Sequence, residues 1–167
     1  MKKILTLALL FVASLSVATA QKIISHTTTL AKVYDCHIDK IDYTAGNTVY
    51  EVWLNTEENK VSKSIHLDFD SKDKMTSVLQ FLFNFNKGDG YYIDLESKNG
   101  ACATSYGRGF TFSTPGTPDK VLMSQYIIGK LLNKLGISVN PGDDPSPKTN
   151  PNAKQGDDIY ISGHSLF

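Results

Sequence analysis

Arginine, tryptophan and cysteine are nearly missing from this chain, which has one arginine, one tryptophan and two cysteines in 167 residues. A surface built to grip phosphate forks would be rich in arginine. Arg108 stands alone beside sixteen lysines, and the seventeen basic side chains are matched by seventeen acidic ones. Nothing in that balance points to nucleic acid or an anionic membrane as partner. Long apolar runs are also missing after the first twenty residues, so no later segment reads as a membrane span. Proline is held back: five of its six positions lie at or after Pro118. Among the histidines, cysteines and acids, no pair has the spacing of a zinc site. No cofactor motif is present either.

The N-terminus carries an address. Met1-Lys2-Lys3 is a basic start, Ile4 to Val17 is an apolar run, and Ala18-Thr19-Ala20 fits a small-x-small cleavage site ahead of Gln21. The run falls short of the roughly 18 apolar residues a spanning helix needs. Residues 1–20 therefore read as a cleaved signal peptide rather than an anchor. The product is expected to be soluble in the periplasm or outside the cell. Removing Lys2 and Lys3 leaves fifteen basic against seventeen acidic side chains, a net charge near −2. In an oxidising compartment Cys36 and Cys102 are expected to pair. Closing that loop would stabilise the fold by about 4 kcal/mol.

The remaining chain divides into a single domain over 21–139, a linker over 140–158 and an extended segment over 159–167. The linker is dominated by Pro, Asp, Asn and Lys, too polar to offset its own ordering entropy. Lys22 to Asp39 is threonine-rich and β-branched, hence extended. Ala45-Gly46-Asn47 is a turn. Thr48 to Asn55 is apolar on both faces, as a central strand would be. From Ser62 to Phe69, Ile65, Leu67 and Phe69 alternate with Ser64, His66 and Asp68, giving one buried and one wet face. Asp70-Ser71 then opens a helix whose Met75, Val78, Leu79, Leu82 and Phe83 form one stripe, with Gly88 as its stop. Tyr91 to Leu95 and Ala101 to Tyr106 flank an Asn99-Gly100 hairpin. Phe110-Thr111-Phe112 follows. Thr117 as cap and Pro118 at the first position predict a second helix through Leu135, closed by Gly136. Its apolar surface is broad, and Gly129 in its middle implies close approach of another backbone. No internal repeat is visible.

These elements amount to an α+β fold: a mostly antiparallel sheet of about five to six strands with two helices packed on one face. Catalytic constellations are thin. Cys36 adjoins His37, but neighbours on a strand face opposite ways. Ser105 lacks the context of a nucleophile elbow. His66 and Asp68 share a face, as do Asp94 and Glu96; neighbouring strands would make them one polar patch. Gly107-Arg108-Gly109 is no phosphate loop, since no Lys-Ser/Thr and no helix follow it. Tyr91, Tyr92 and Tyr106 with Arg108 are the best candidate ligand-binding patch, an aromatic rim around a guanidinium. The expected function is that of an exported non-enzymatic binding or protein-interaction module. A protein partner would engage the helix from Pro118 to Leu135 or the C-terminal segment. The competing expectations are a small hydrolase using the His66, Asp68, Asp94, Glu96 face or the Cys36–His37 region, and an inhibitor or immunity-type protein.

Overall fold

The computed structural model describes residues 23–58 and 61–142. The expected signal peptide, most of the expected linker and the segment 159–167 lie outside the described residues. The fold is α+β, as the patterning implies, with its strands in two antiparallel sheets of four. The first sheet runs β1 (Ile24–Val33), β2 (Cys36–Tyr43), β3 (Thr48–Glu58), β4 (Val61–Phe69), followed by α1 (Lys72–Phe83). The second runs β5 (Tyr92–Asp94), β6 (Cys102–Tyr106), β7 (Gly109–Ser113), β8 (Lys120–Ser124), followed by α2 (Gln125–Lys134). Each half is thus a four-stranded meander in sequence order capped by a helix. The topology repeats where the sequence does not.

Local chemistry accounts for most of the turns. A two-residue turn at Tyr34-Asp35 splits the first extended run, with Tyr34 at φ +52°. Gly46 (φ +85°) turns β2 into β3 where expected. Gly107-Arg108 joins β6 to β7 as a two-residue hairpin. Ser71 caps α1 by accepting the Lys74 N–H at 3.2 Å. α1 ends at Asn84 rather than at Gly88, because Asn84 closes the last turn with its own N–H on the Gln80 carbonyl.

The second helix is shorter than its pattern implies. Lys120 to Ser124 is a strand, and the helix begins only at Gln125, capped by Ser124 on the Ile127 N–H. Val121-Leu122-Met123 widens the apolar surface in the pattern because strand and helix follow one another directly. As a strand it buries Val121 and Met123 against Phe112 and Phe110. Gly129 does mark a close approach, by the Phe83 ring and Pro141 rather than by backbone: an added Cβ would sit 2.7 Å and 2.9 Å from them.

One continuous core joins the halves. It takes Ile38, Val52, Leu54, Leu67 and Phe69 from the first sheet and Ala103, Phe110, Phe112 and Met123 from the second. The helices add Met75, Leu79, Leu82, Ile127, Ile128, Leu131 and Leu132. Two side-chain amides help stitch the halves together. Gln125 Nε2 donates to the carbonyls of Leu82, Phe83 and Phe85 at 3.0, 3.2 and 2.7 Å, satisfying the end of α1. Asn99, in the β5–β6 turn, lies along the outer edge of β4. It donates to the His66 carbonyl at 2.8 Å and accepts the Asp68 N–H at 3.3 Å, blunting that edge.

The expected disulfide is not formed; both cysteines are free. Cys36 belongs to the core, whereas on β6 it is Ala103 and Ser105 that point inward. Strand alternation then turns Cys102 to the outer face, beside Ser113 Oγ at 3.1 Å. The two sulfurs occupy opposite sides of the second sheet.

A ladder of aromatic and carboxylate pairs on the first sheet

The face of the first sheet turned away from the core carries the densest cluster of chemically capable side chains. Its origin is a repeated spacing on three strands: His37-x-Asp39, Glu51-x-Trp53 and His66-x-Asp68. Residues two apart share a face, and the register then aligns the three pairs. His37 stands opposite Trp53, and Trp53 opposite His66; Asp39 stands opposite Glu51, and Glu51 opposite Asp68. The result is two cross-strand rows, one of rings and one of carboxylates.

The rings stand parallel. The His37 and Trp53 centroids are 6.0 Å apart with planes 9° off parallel, and those of Trp53 and His66 are 4.7 Å apart at 29°. Each ring nitrogen faces the carboxylate on its own strand. Trp53 Nε1 donates to Glu51 at 2.9 Å. His37 Nε2 is 3.6 Å from Asp39, and His66 Nε2 is 3.5 Å from Asp68. Thr29 on β1 donates its hydroxyl to Asp39 at 2.7 Å. Ile41 and Val49, paired across β2 and β3, are buried on this same face and lie outside the core. Lys32 stands opposite His37 at the rim.

Three carboxylates facing one another across adjacent strands repel. Glu51, in the middle, feels it. Burial pushes its acid above the ordinary carboxylate range, and the charges of Asp68 and Asp39 push the same way, against the Trp53 N–H and His66. Tyr43 is raised too, first by burial and then by Glu51 and Asp68. Among the described residues no three His, Cys, Asp or Glu side chains are placed to hold a metal ion. The arrangement can accept hydrogen bonds, attract a cation and move protons between imidazole and carboxylate.

The residues singled out by sequence fare unevenly. His66 and Asp68 belong to the ladder, but Asp94 and Glu96 do not join them, because β5 lies in the other sheet. Asp94 accepts the Glu96 N–H, and Glu96 faces Lys74 of α1 at 3.8 Å. Tyr92 and Tyr106 are exposed on the outer face of the second sheet. A hydrogen bond with Cys102 raises the Tyr92 hydroxyl. Tyr91 turns the other way, its ring edge-on to Phe85 at 5.9 Å with Lys87 Nζ above it. Arg108 is exposed at the hairpin tip, its carbonyl accepting the Gln125 N–H at 2.8 Å. The four residues therefore split between two sides of β5. Burial pushes the Cys36 thiol up to about 11, which leaves it un-ionised and a poor nucleophile, and its side chain faces away from His37. The sequence points to His37 only as the neighbour of Cys36, and no single strand picks out Asp39, Glu51 and Trp53 as its companions. Their signal was the shared spacing of two, which becomes a site only once the register is known.

Comparison with protein-family models, with curated proteins and with solved structures finds no match to this chain.

Proposed function

We propose that the protein is an exported binding module whose ligand, carrying a cationic group, engages the ladder on the first sheet. The observation that carries this reading is the facing of Asp39, Glu51 and Asp68 across three adjacent strands. The fold gains nothing from that alignment, since cross-strand like charges are destabilising. An arrangement that costs stability and raises the acid of Glu51 is characteristic of a functional surface. An ammonium or guanidinium placed over the carboxylate row would relieve the repulsion, with the Trp53 ring edge beside it. Export rests on the N-terminal twenty residues and the cleavage pattern at Ala18-Thr19-Ala20.

Trp53 is the only tryptophan in the chain, so its fluorescence reports on this face alone. Titration with a short oligolysine peptide should change its emission saturably, and added salt should weaken the effect. An oligoglutamate peptide should do nothing. Asp39→Asn and Glu51→Gln together should weaken the oligolysine response at least tenfold. A tryptophan signal indifferent to oligolysine up to millimolar concentration would end the proposal.

A hydrolytic reading is favoured by one specific feature: His66 and Asp68 lie beside a carboxyl group whose acid is raised, which is an acid–base set in outline. Turnover of ester or glycoside substrates that disappears in both His66→Gln and Glu51→Gln would establish it.

A further inference from the structure

We propose that the groove at the C-terminal end of α1 is the docking site for this chain's own segment Asp157-Asp158-Ile159-Tyr160-Ile161. The groove has a volume of about 390 Å³ and is lined by Gln80, Phe81, Asn84, Phe85, Asn86 and Lys87. That is at the small end of the range for sites that accept side chains or small ligands. Its aromatic wall is continuous. Phe81 packs edge-on to Phe85 at 5.9 Å, and Phe85 packs edge-on to Tyr91 at the same distance. Phe81 is nevertheless 53% exposed and Tyr91 49%. Large rings left in water beside a preformed hollow mark a contact surface. The wall is held in place from behind by Gln125, whose amide ties down the Leu82, Phe83 and Phe85 carbonyls.

Three observations select the occupant. First, the described chain leaves beside the groove: Pro141 packs near Gly129 and Phe83, one residue before Asn84 of the lining. Second, fourteen residues separate Gly142 from Asp157, a tether of up to about 50 Å at full extension. That exceeds the dimensions of a domain of this size, and a tether of such length gives an effective concentration on the order of millimolar, so modest affinity suffices. Third, the chemistry matches. Ile159, Tyr160 and Ile161 are the first large apolar residues beyond Gly142, and two carboxylates immediately precede them. Lys87 is the one charged side chain lining the groove, and its Nζ lies 5.6 Å from the Tyr91 ring centroid. Carboxylates on Lys87 with isoleucine and tyrosine side chains on Phe81 and Phe85 satisfy both halves of the site.

Methyl-selective NMR on the full chain tests this. Ile159 and Ile161 methyl groups should show contacts to the Phe81 and Phe85 rings that do not depend on protein concentration. Replacing Asp157→Lys and Asp158→Lys should abolish them, and adding Lys87→Glu should restore them, while the amide spectrum of α1 shows that the fold is intact. Contacts that grow with concentration would mean that a second copy supplies the segment and would overturn docking within one chain. Methyl shifts at random-coil positions, or contacts to any other surface, would overturn the site itself.

Discussion

Burial, with the charges of Asp68 and Asp39 beside it, holds the acid of Glu51 above its ordinary value. Its acid is raised, so the native state holds that proton more tightly than the unfolded chain does. The stability this supplies is present at acid pH and is lost as pH rises through the native value. Glu51→Gln keeps the Trp53 hydrogen bond and removes the charge. It should be more stable than the natural chain at pH 7 by about 0.5 kcal/mol, the scale of a cross-strand like-charge pair screened by partial exposure. Below about pH 4 the two should be alike. Urea denaturation at both pH values decides this. If the ladder is a binding face, the same substitution that stabilises the fold weakens oligolysine binding, a familiar trade between stability and function. Gly129 argues the opposite way. Alanine there is the better helix former, yet its methyl would overlap the Phe83 ring and Pro141. Gly129→Ala should therefore destabilise by about 1–3 kcal/mol through overpacking, read as a drop in thermal midpoint.

Among the elements, the junction between α1 and α2 is tied by one side-chain amide as well as by packing. Gln125 stands at the first position of α2 and serves the carbonyls of Leu82, Phe83 and Phe85, of which Leu82 also accepts the Phe85 N–H. Gln125→Ala would leave the Phe83 and Phe85 carbonyls without this donor at a cost of about 1–3 kcal/mol. Hydrogen exchange should quicken at Asn84 and Phe85 while the amides of β3 keep their protection. The strand β8 makes a separate prediction. Phe110 and Phe112 face Met123 and Val121 across the pairing with β7, so amides in 120–124 should exchange as slowly as those of β7. Fast exchange there would favour the helix that Thr117 and Pro118 advertise. Those two residues are good cap chemistry, but the chain spends them on the loop between β7 and β8. Sheet pairing decided the matter over local propensity: Val121 and Met123 are buried, paired across β7 with Phe112 and Phe110.

For the whole molecule, the placement of the cysteines carries the clearest consequence. Alkylation of the unfolded chain without reductant should label both, and in the folded state Cys102 should react well before Cys36, which is buried with its thiol raised to about 11. Mass spectrometry after timed labelling reads the order.

What the amino-acid pattern determined by itself is local: the α+β class, the turns at Gly46 and over Ser97-Lys98-Asn99-Gly100, the cap at Ser71, and the wet face of β4 with His66 and Asp68 upon it. Each of these depends on neighbours within a few residues, where periodicity and turn chemistry act. Two sheets in place of one, the strand at 120–124, the separated sulfurs and the alignment of His37, Trp53 and His66 over Asp39, Glu51 and Asp68 were decided only in three dimensions. They depend on which strands pair and in which register, and a shift of one residue turns every side chain to the other face. No stretch of sequence carries that information alone, because it is settled by the burial of a shared core drawn from both halves of the chain.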